Sequence, residues 1–221
     1  MKIAIGLYPG FTALDAIGPY QVLVQLPDAE VVICAAQRGE LADDMGHLRF
    51  DIAHTFDDIP TPDVLLVPGG VVTRQLAVPG EPIVEWIRNA HRSTTWTTSV
   101  CTGSLLLGAA GVLDGLPATT HWCAVDALEA FGATYTEQRV VIDGKVITGA
   151  GVSAGIDMAL TLVRELAGIE MAQAIQLGIE YDPQPPVDAG SPSKAPAEIR
   201  DLVASVLAEA EETAALRAAT A

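Results

Sequence analysis

Cys101 stands where the chain is shaped to present a nucleophile. Residues 94–100 (TTWTTSV) are β-prone, and residues 103–110 form a small-residue helix closed by Gly111. A strand turning sharply into a helix, with small residues two before and two after the junction, is the geometry of a nucleophile elbow. Ser99 and Gly103 supply those residues. The turn lifts the side chain at the strand's carboxyl end and sets it at a helix N-terminus, where the helix dipole favours a thiolate of lowered pKa. The competing reading is a cysteine buried in a core strand. The Ser-Val-Cys-Thr-Gly context favours the elbow.

Other candidate groups are carried to the same crevice by the elements before them. Residues 2–7 (KIAIGL) read as a strand, broken by Tyr8-Pro9-Gly10. Thr12 then caps a helix over about 13–25, which restarts near Gly18 because Pro19 is disfavoured deep in a helix. Asp15 thereby lies near the strand's carboxyl end, where parallel α/β sheets place active sites. Burial beside Leu14 and Ile17 would raise its pKa. Residues 63–67 (DVLLV) are a buried strand ended by Pro68-Gly69-Gly70. That turn reads either as a plain βα connection or as an amide donor facing Cys101. Residues 118–120 lead to His121, another strand-end position, which serves either directly beside Cys101 or in structural hydrogen bonding. Cys34 reads as core, His47, His54 and His91 as non-catalytic, and Ser153 as a helix cap.

The balance of charges narrows the partners. Lys and Arg number 12 against 28 for Asp and Glu, a formal net charge of −16, and half of the 221 residues are apolar. Such a chain repels nucleic acid and anionic lipid. Three cysteines without paired spacing make neither a disulfide framework nor a zinc site, so a reducing cytoplasm and no metal are expected. The N-terminus lacks the order of a signal peptide. Residues 93–113 carry no charge, yet eight are Ser or Thr and Gly103 interrupts them, so a buried strand and helix are expected there, not a membrane span.

Strands alternating with helices imply a mostly parallel sheet flanked by helices, a flavodoxin-like three-layer α/β sandwich with a nucleophile elbow. Asp143-Gly144 predicts one antiparallel hairpin. The expected division is a domain over residues 1–192 and an acidic helix within 193–221 that packs on it or trails from it. The Pro-rich stretch 182–196 reads as a draped loop that closes over a site.

The set LYPGF-TALDAIGPYQVL, LLVPGG, SVCTGSLLLGAAGVL, ATTHW, ITGAGVSAGIDMAL and YDPQPPVDAGSP resembles the DJ-1/PfpI superfamily, and within it the isonitrile (isocyanide) hydratase group. The resemblance runs from residue 1 to about 192. It implies a homodimer with Cys101 as nucleophile and Asp15 as the carboxylate that hydratases use where most DJ-1-like proteins have glutamate. It also implies an oxyanion-hole-like pair of the Gly70 and Thr102 amides, with Gly69 and His121 supporting. Threonine directly after the cysteine, where PfpI-type peptidases place histidine, counts against protease activity. The same motifs occur in AraC-type regulators, but the chain is too short for their helix-turn-helix pair. The implied reaction converts an isonitrile to an N-substituted formamide through a thioimidate, without cofactor. The alternatives are a glyoxalase or amidase of the same superfamily, or a cysteine-based redox or ligand sensor.

Overall fold

Each βα unit buries its apolar faces only against the next unit, which is why strand–helix alternation assembles into a parallel sheet. The computed structural model describes residues 1–219. β1 (Lys2–Gly6) leads into α1 (Ala13–Leu23) and β2 (Glu30–Ala35). An antiparallel hairpin of β3 (Gly39–Ala42) and β4 (Arg49–Ile52) follows, then the short β5 (His54–Thr55). Next come β6 (Val64–Val67), α2 (Thr73–Leu76), α3 (Pro82–Ala90), β7 (Trp96–Val100) and α4 (Gly103–Ala109). β8 (Pro117–Ala118), α5 (Val125–Ala130) and β9 (Thr134–Tyr135) precede β10 (Val140–Asp143) and β11 (Val146–Gly149). The chain ends in α6 (Ala154–Ala167), α7 (Ile169–Gly178) and α8 (Ala197–Ala219).

The main sheet has seven strands in the order β10-β11-β7-β6-β1-β2-β5 and is parallel except for β10. The antiparallel turn falls at Asp143-Gly144, where Gly144 takes a positive φ of 52°. Helices α1, α6 and α7 pack as one group and α2 to α5 as another, giving the flavodoxin-like layering. Strands sandwiched this way are covered on both faces and are apolar along most of their length. Ile3, Ala4, Ile5 and the whole of β6 are accordingly without solvent exposure.

The topology sets the position of the site. From β1 the chain builds outward through β2 and β5, then returns to add β6, β7 and β11 on the other side. The switch point lies between β1 and β6, and ligands bind beyond the carboxyl ends of strands at such a point. The segments that follow β1, β6, β7 and β11 carry Asp15, Gly69-Gly70, Cys101 and Val152 respectively.

Three local expectations are corrected. Helix α1 runs unbroken through Pro19 and does not restart at Gly18. Close packing on α6 sustains it, because Gly18 faces Ile156 and Gly155 faces Pro19 where a Cβ would lie 3.2 Å from the opposing side chain. Thr12 makes no capping bond; its hydroxyl donates to Asp44 Oδ2 at 2.8 Å. Ser153 likewise caps nothing, and its Oγ accepts from Arg139 at 3.2 Å. In both cases a tertiary partner outcompetes the local backbone for the hydroxyl. Helix α8 is tied to α2 by Arg74 Nε–Glu211 Oε2 at 3.0 Å and by Gln75, whose amide donates to the Glu211 carbonyl at 3.2 Å. Its residues Ile199, Leu202, Val203 and Val206 remain exposed.

Candidate active site

The elbow forms at Cys101, whose φ of 57° is unfavourable for any residue with a Cβ. The surroundings hold it there. The Cys101 N–H donates to the carbonyls of Gly149 and Ala150, both at 3.0 Å. Its own carbonyl accepts from Ser104 Oγ at 3.1 Å and Thr120 Oγ1 at 3.2 Å. Gly103 is required by crowding: a Cβ there would overlap the Val67 carbonyl oxygen and lie 2.7 Å from that of Pro68. Both obstacles are backbone, so Gly103→Ala must displace α4 or the β6 end. The expected result is a loss of roughly 3 kcal/mol of stability, read by denaturant unfolding, with Cys101 misplaced. An unchanged unfolding midpoint would contradict this packing.

Around the sulfur, the amides of Thr102 and Val152 and the Thr102 hydroxyl lie close enough to favour the thiolate. Val152 reaches it from the loop after β11 with φ at 22°, a conformation that a β-branched residue rarely adopts. The Gly70 N–H donates to Thr102 Oγ1 at 3.0 Å, and that hydroxyl also lies 3.2 Å from the Gly70 carbonyl as a donor. The two amides turned to the sulfur are therefore those of Thr102 and Val152, while the Gly70 amide is engaged by the Thr102 hydroxyl.

Asp15 is fully buried in the first turn of α1. Its Oδ2 accepts the Gly69 N–H at 2.9 Å, and its buried Oδ1 has no hydrogen-bond partner. The thiol of Cys101 faces the carboxyl. Gly69 cannot be larger, since a Cβ would stand 2.7 Å from Thr102 N and 2.8 Å from Asp15 Oδ2. Burial raises the Asp15 pKa to about 7, with Asp44 adding to the rise, while the Gly69 amide and the Cys101 thiol moderate it. Leu14 and Ile17 do not cause that burial: they are 44% and 37% exposed. The carboxyl is instead enclosed by the Gly69 turn and the elbow.

The Cys101 thiol departs from expectation. Burial, followed by the nearby Asp15 charge, pushes its pKa well above the ordinary thiol range, despite the amides that favour thiolate. Helix α4 is only seven residues long, and its dipole does not outweigh desolvation by a closed site. The resting pair is a neutral thiol beside a carboxyl that holds or loses its proton near neutrality.

His121 caps the short 3-10 turn Trp122–Ala124, its Nδ1 accepting the Cys123 N–H at 3.3 Å. Burial lowers its pKa. The ring packs on Gly151, where a Cβ would lie 2.7 Å from His121 Cδ2. With Trp122, Tyr135, Val152 and Ser191 it lines a cavity of about 540 Å³, and the Pro-rich stretch supplies one wall through residues 190–193. Cys34 is a core residue, its thiol directed at the Ile5 carbonyl and pushed up to about 12 by burial. Among the described residues no group of His, Cys, Asp or Glu is arranged to hold a metal.

Sequence reasoning brought Cys101, Asp15, Thr102, Gly69 and Gly70 together, and it missed Tyr8, Thr120 and Val152. Tyr8 and Val152 follow strands β1 and β11 within three residues, and strand-end position was the signal available for them.

The comparisons agree with this architecture. Residues 1–165 match the DJ-1/PfpI family. An isonitrile hydratase from Pseudomonas putida is 44% identical over 201 residues, covering 91% of this chain and 87% of that protein. A crystal structure of a ThiJ/PfpI family protein from Pseudomonas syringae superposes with a TM-score of 0.90 at 41% identity, over 96% of this chain and 87% of the other. The transcriptional regulator CdhR of Pseudomonas aeruginosa is 36% identical over half of this chain and a third of its own length. Drosophila melanogaster DJ-1beta shares the fold, with a TM-score of 0.74 at 20% identity over 82% of this chain and 98% of its own. With the elbow, the match over residues 1–165 and the near full-length relative in hand, the chain belongs to the DJ-1/PfpI family.

Proposed function

We propose that this protein is an isonitrile hydratase in which Cys101 is the nucleophile and Asp15 moves the protons. The observation that carries this reading is the buried pair itself, a neutral thiol beside a carboxyl whose buried Oδ1 has no hydrogen-bond partner. Similarity to the Pseudomonas putida enzyme supports the choice of substrate.

The thiol proton passes to Asp15 as sulfur bonds to the terminal carbon of the isonitrile. Asp15 returns that proton to the same carbon, leaving a thioimidate, S–CH=N–R. Water then adds across C=N, its oxygen to carbon and one proton to nitrogen. The C–S bond breaks as the hydroxyl proton returns by way of Asp15 to sulfur, releasing HC(=O)–NH–R and the free thiol. Amides of Thr102 and Val152 stabilise the sulfur as its proton leaves. A carboxyl with a pKa near the working pH suits both directions of transfer. The chemistry calls for no metal or organic cofactor. The protein acts on a small molecule, in the cytoplasm and as a homodimer, with residues 1–192 as the catalytic domain and the acidic C-terminal helix as its appendage.

The test is the ultraviolet change on mixing purified protein with a simple aryl isonitrile, with formamide confirmed as product. Turnover of methylglyoxal and none of the isonitrile would move the assignment to a glyoxalase. The pH profile follows from the pair. Below about 7 Asp15 already holds a proton and has no room for the thiol's. The expected kcat/KM therefore climbs about tenfold per pH unit below that value and levels above it. A flat profile between pH 5 and 9 removes Asp15 from the proton path.

A further inference from the structure

Tyr8 lies two residues past β1, buried, and its hydroxyl donates to the Pro68 carbonyl at 2.7 Å. The N–H of that same peptide unit belongs to Gly69 and donates to Asp15 Oδ2 at 2.9 Å. Phenol, one peptide group and the carboxyl thus form a continuous chain, O–H···O=C–N–H···Oδ2. A peptide is conjugated from oxygen to nitrogen, so a bond accepted at its carbonyl makes its N–H a better donor. The position of the unit is fixed on the other side as well, because Gly103 fits against the Pro68 carbonyl with no space for a Cβ. The Tyr8 ring is held by its own burial and forms one wall of a separate cavity of about 350 Å³ with Leu7, Leu41, Phe56 and Ile83.

We propose that Tyr8 is a positioning residue that acts through the Pro68–Gly69 peptide and sets how tightly Asp15 holds its proton. The proposal rests on the reading of Asp15 as the proton-moving group, but its geometry does not depend on which substrate is used. The titratable groups whose charge reaches Asp15 are Cys101 from the elbow and Asp44 from the β3–β4 connection, with Tyr8 itself facing both Asp15 and Cys101. The direction is definite. Removing the phenol hydroxyl weakens the Gly69 donor, destabilises the carboxylate and raises the pH at which Asp15 ionises.

The experiment is a carbon-13 NMR titration of the Asp15 carboxyl in the full-length protein, assigned by difference from Asp15→Asn. In Tyr8→Phe, which keeps the ring, the midpoint is expected to rise by about half a pH unit, roughly a threefold change in proton affinity. Incorporating 3-fluorotyrosine at position 8 keeps the bond and strengthens the donor, so the midpoint should fall, and this arm stands if Tyr8→Phe does not fold. A midpoint unmoved by the fluorinated residue, or moved upward by it, overturns the proposal. Loss of folded protein alone lowers signal or rate at every pH and leaves the midpoint in place. The titration needs no turnover, so a failed isonitrile assay and a failed relay give different results. Where turnover is observed, the acid limb of kcat/KM in Tyr8→Phe should move by the same amount with the plateau reduced less than about threefold.

Discussion

Asp15→Asn is expected to cut turnover by orders of magnitude and at the same time raise the melting temperature above pH 7. In the folded protein the carboxyl ionises at about 7, whereas in the unfolded chain it does so near an ordinary value of about 3.9. Between those values the native state keeps a proton that the unfolded state has released, so stability falls as pH rises through this window. Above 7 the fold carries a buried charge at a cost of roughly 4 kcal/mol relative to acid conditions. An amide carries no charge and escapes that cost. For a chain of this size each kcal/mol moves Tm by about 2–4 °C, so a rise of about 8–16 °C is expected at pH 8. The two curves should converge below about pH 4. Thermal melts across pH 4–9 provide the check, and parallel curves for wild type and variant would show that Asp15 is not strained by its burial. The same substitution removes the proton acceptor, for which a rate loss of about 10²–10⁴ is expected.

Cys101→Ala should reduce turnover by about 10⁴-fold or more, because no neighbouring group can replace the covalent step. Cys34 cannot substitute: it is buried in β2, directed at the Ile5 carbonyl, with its pKa pushed up to about 12. Cys123 is half-buried beside Arg74 and Glu211, and its pKa is raised to about 11. Alanine retains the Cβ and hence the unfavourable φ of the elbow, so the backbone should stay close to its original stability. Single-turnover assays with a circular dichroism melt separate the two effects. Retention of more than a few per cent of activity in Cys101→Ala would eliminate the thiol mechanism.

The two substitutions bear on one design. A neutral thiol and a carboxyl titrating near 7 are held together by enclosing both, and enclosure raises both proton affinities. Under the proposed mechanism the site keeps no standing thiolate, and Asp15 accepts the thiol proton when the electrophile arrives. Destabilisation of a catalytic carboxyl in exchange for function is a common cost of active sites.

Local pattern was enough to read much of this from the chain. Continuous apolar runs at 2–7 and 63–67, each ended by Gly or Pro, determined parallel strands, and Asp143-Gly144 determined the antiparallel turn at the edge of the main sheet, because period and turn chemistry are properties of adjacent residues. The elbow was legible for the same reason: Ser99, Cys101 and Gly103 lie within five positions. Tertiary structure alone decided the rest. The expected depressed thiol became a raised one because desolvation depends on what packs around Cys101 from four separate strands. The unbroken α1, the diverted hydroxyls of Thr12 and Ser153, and the exposure of Leu14 and Ile17 all reflect partners distant in sequence. Tyr8 and Val152 joined the site by the same route. Sequence determined which residues stand at strand ends, and only the fold decided which strand ends meet, because strand order is set by long-range packing that no local pattern encodes.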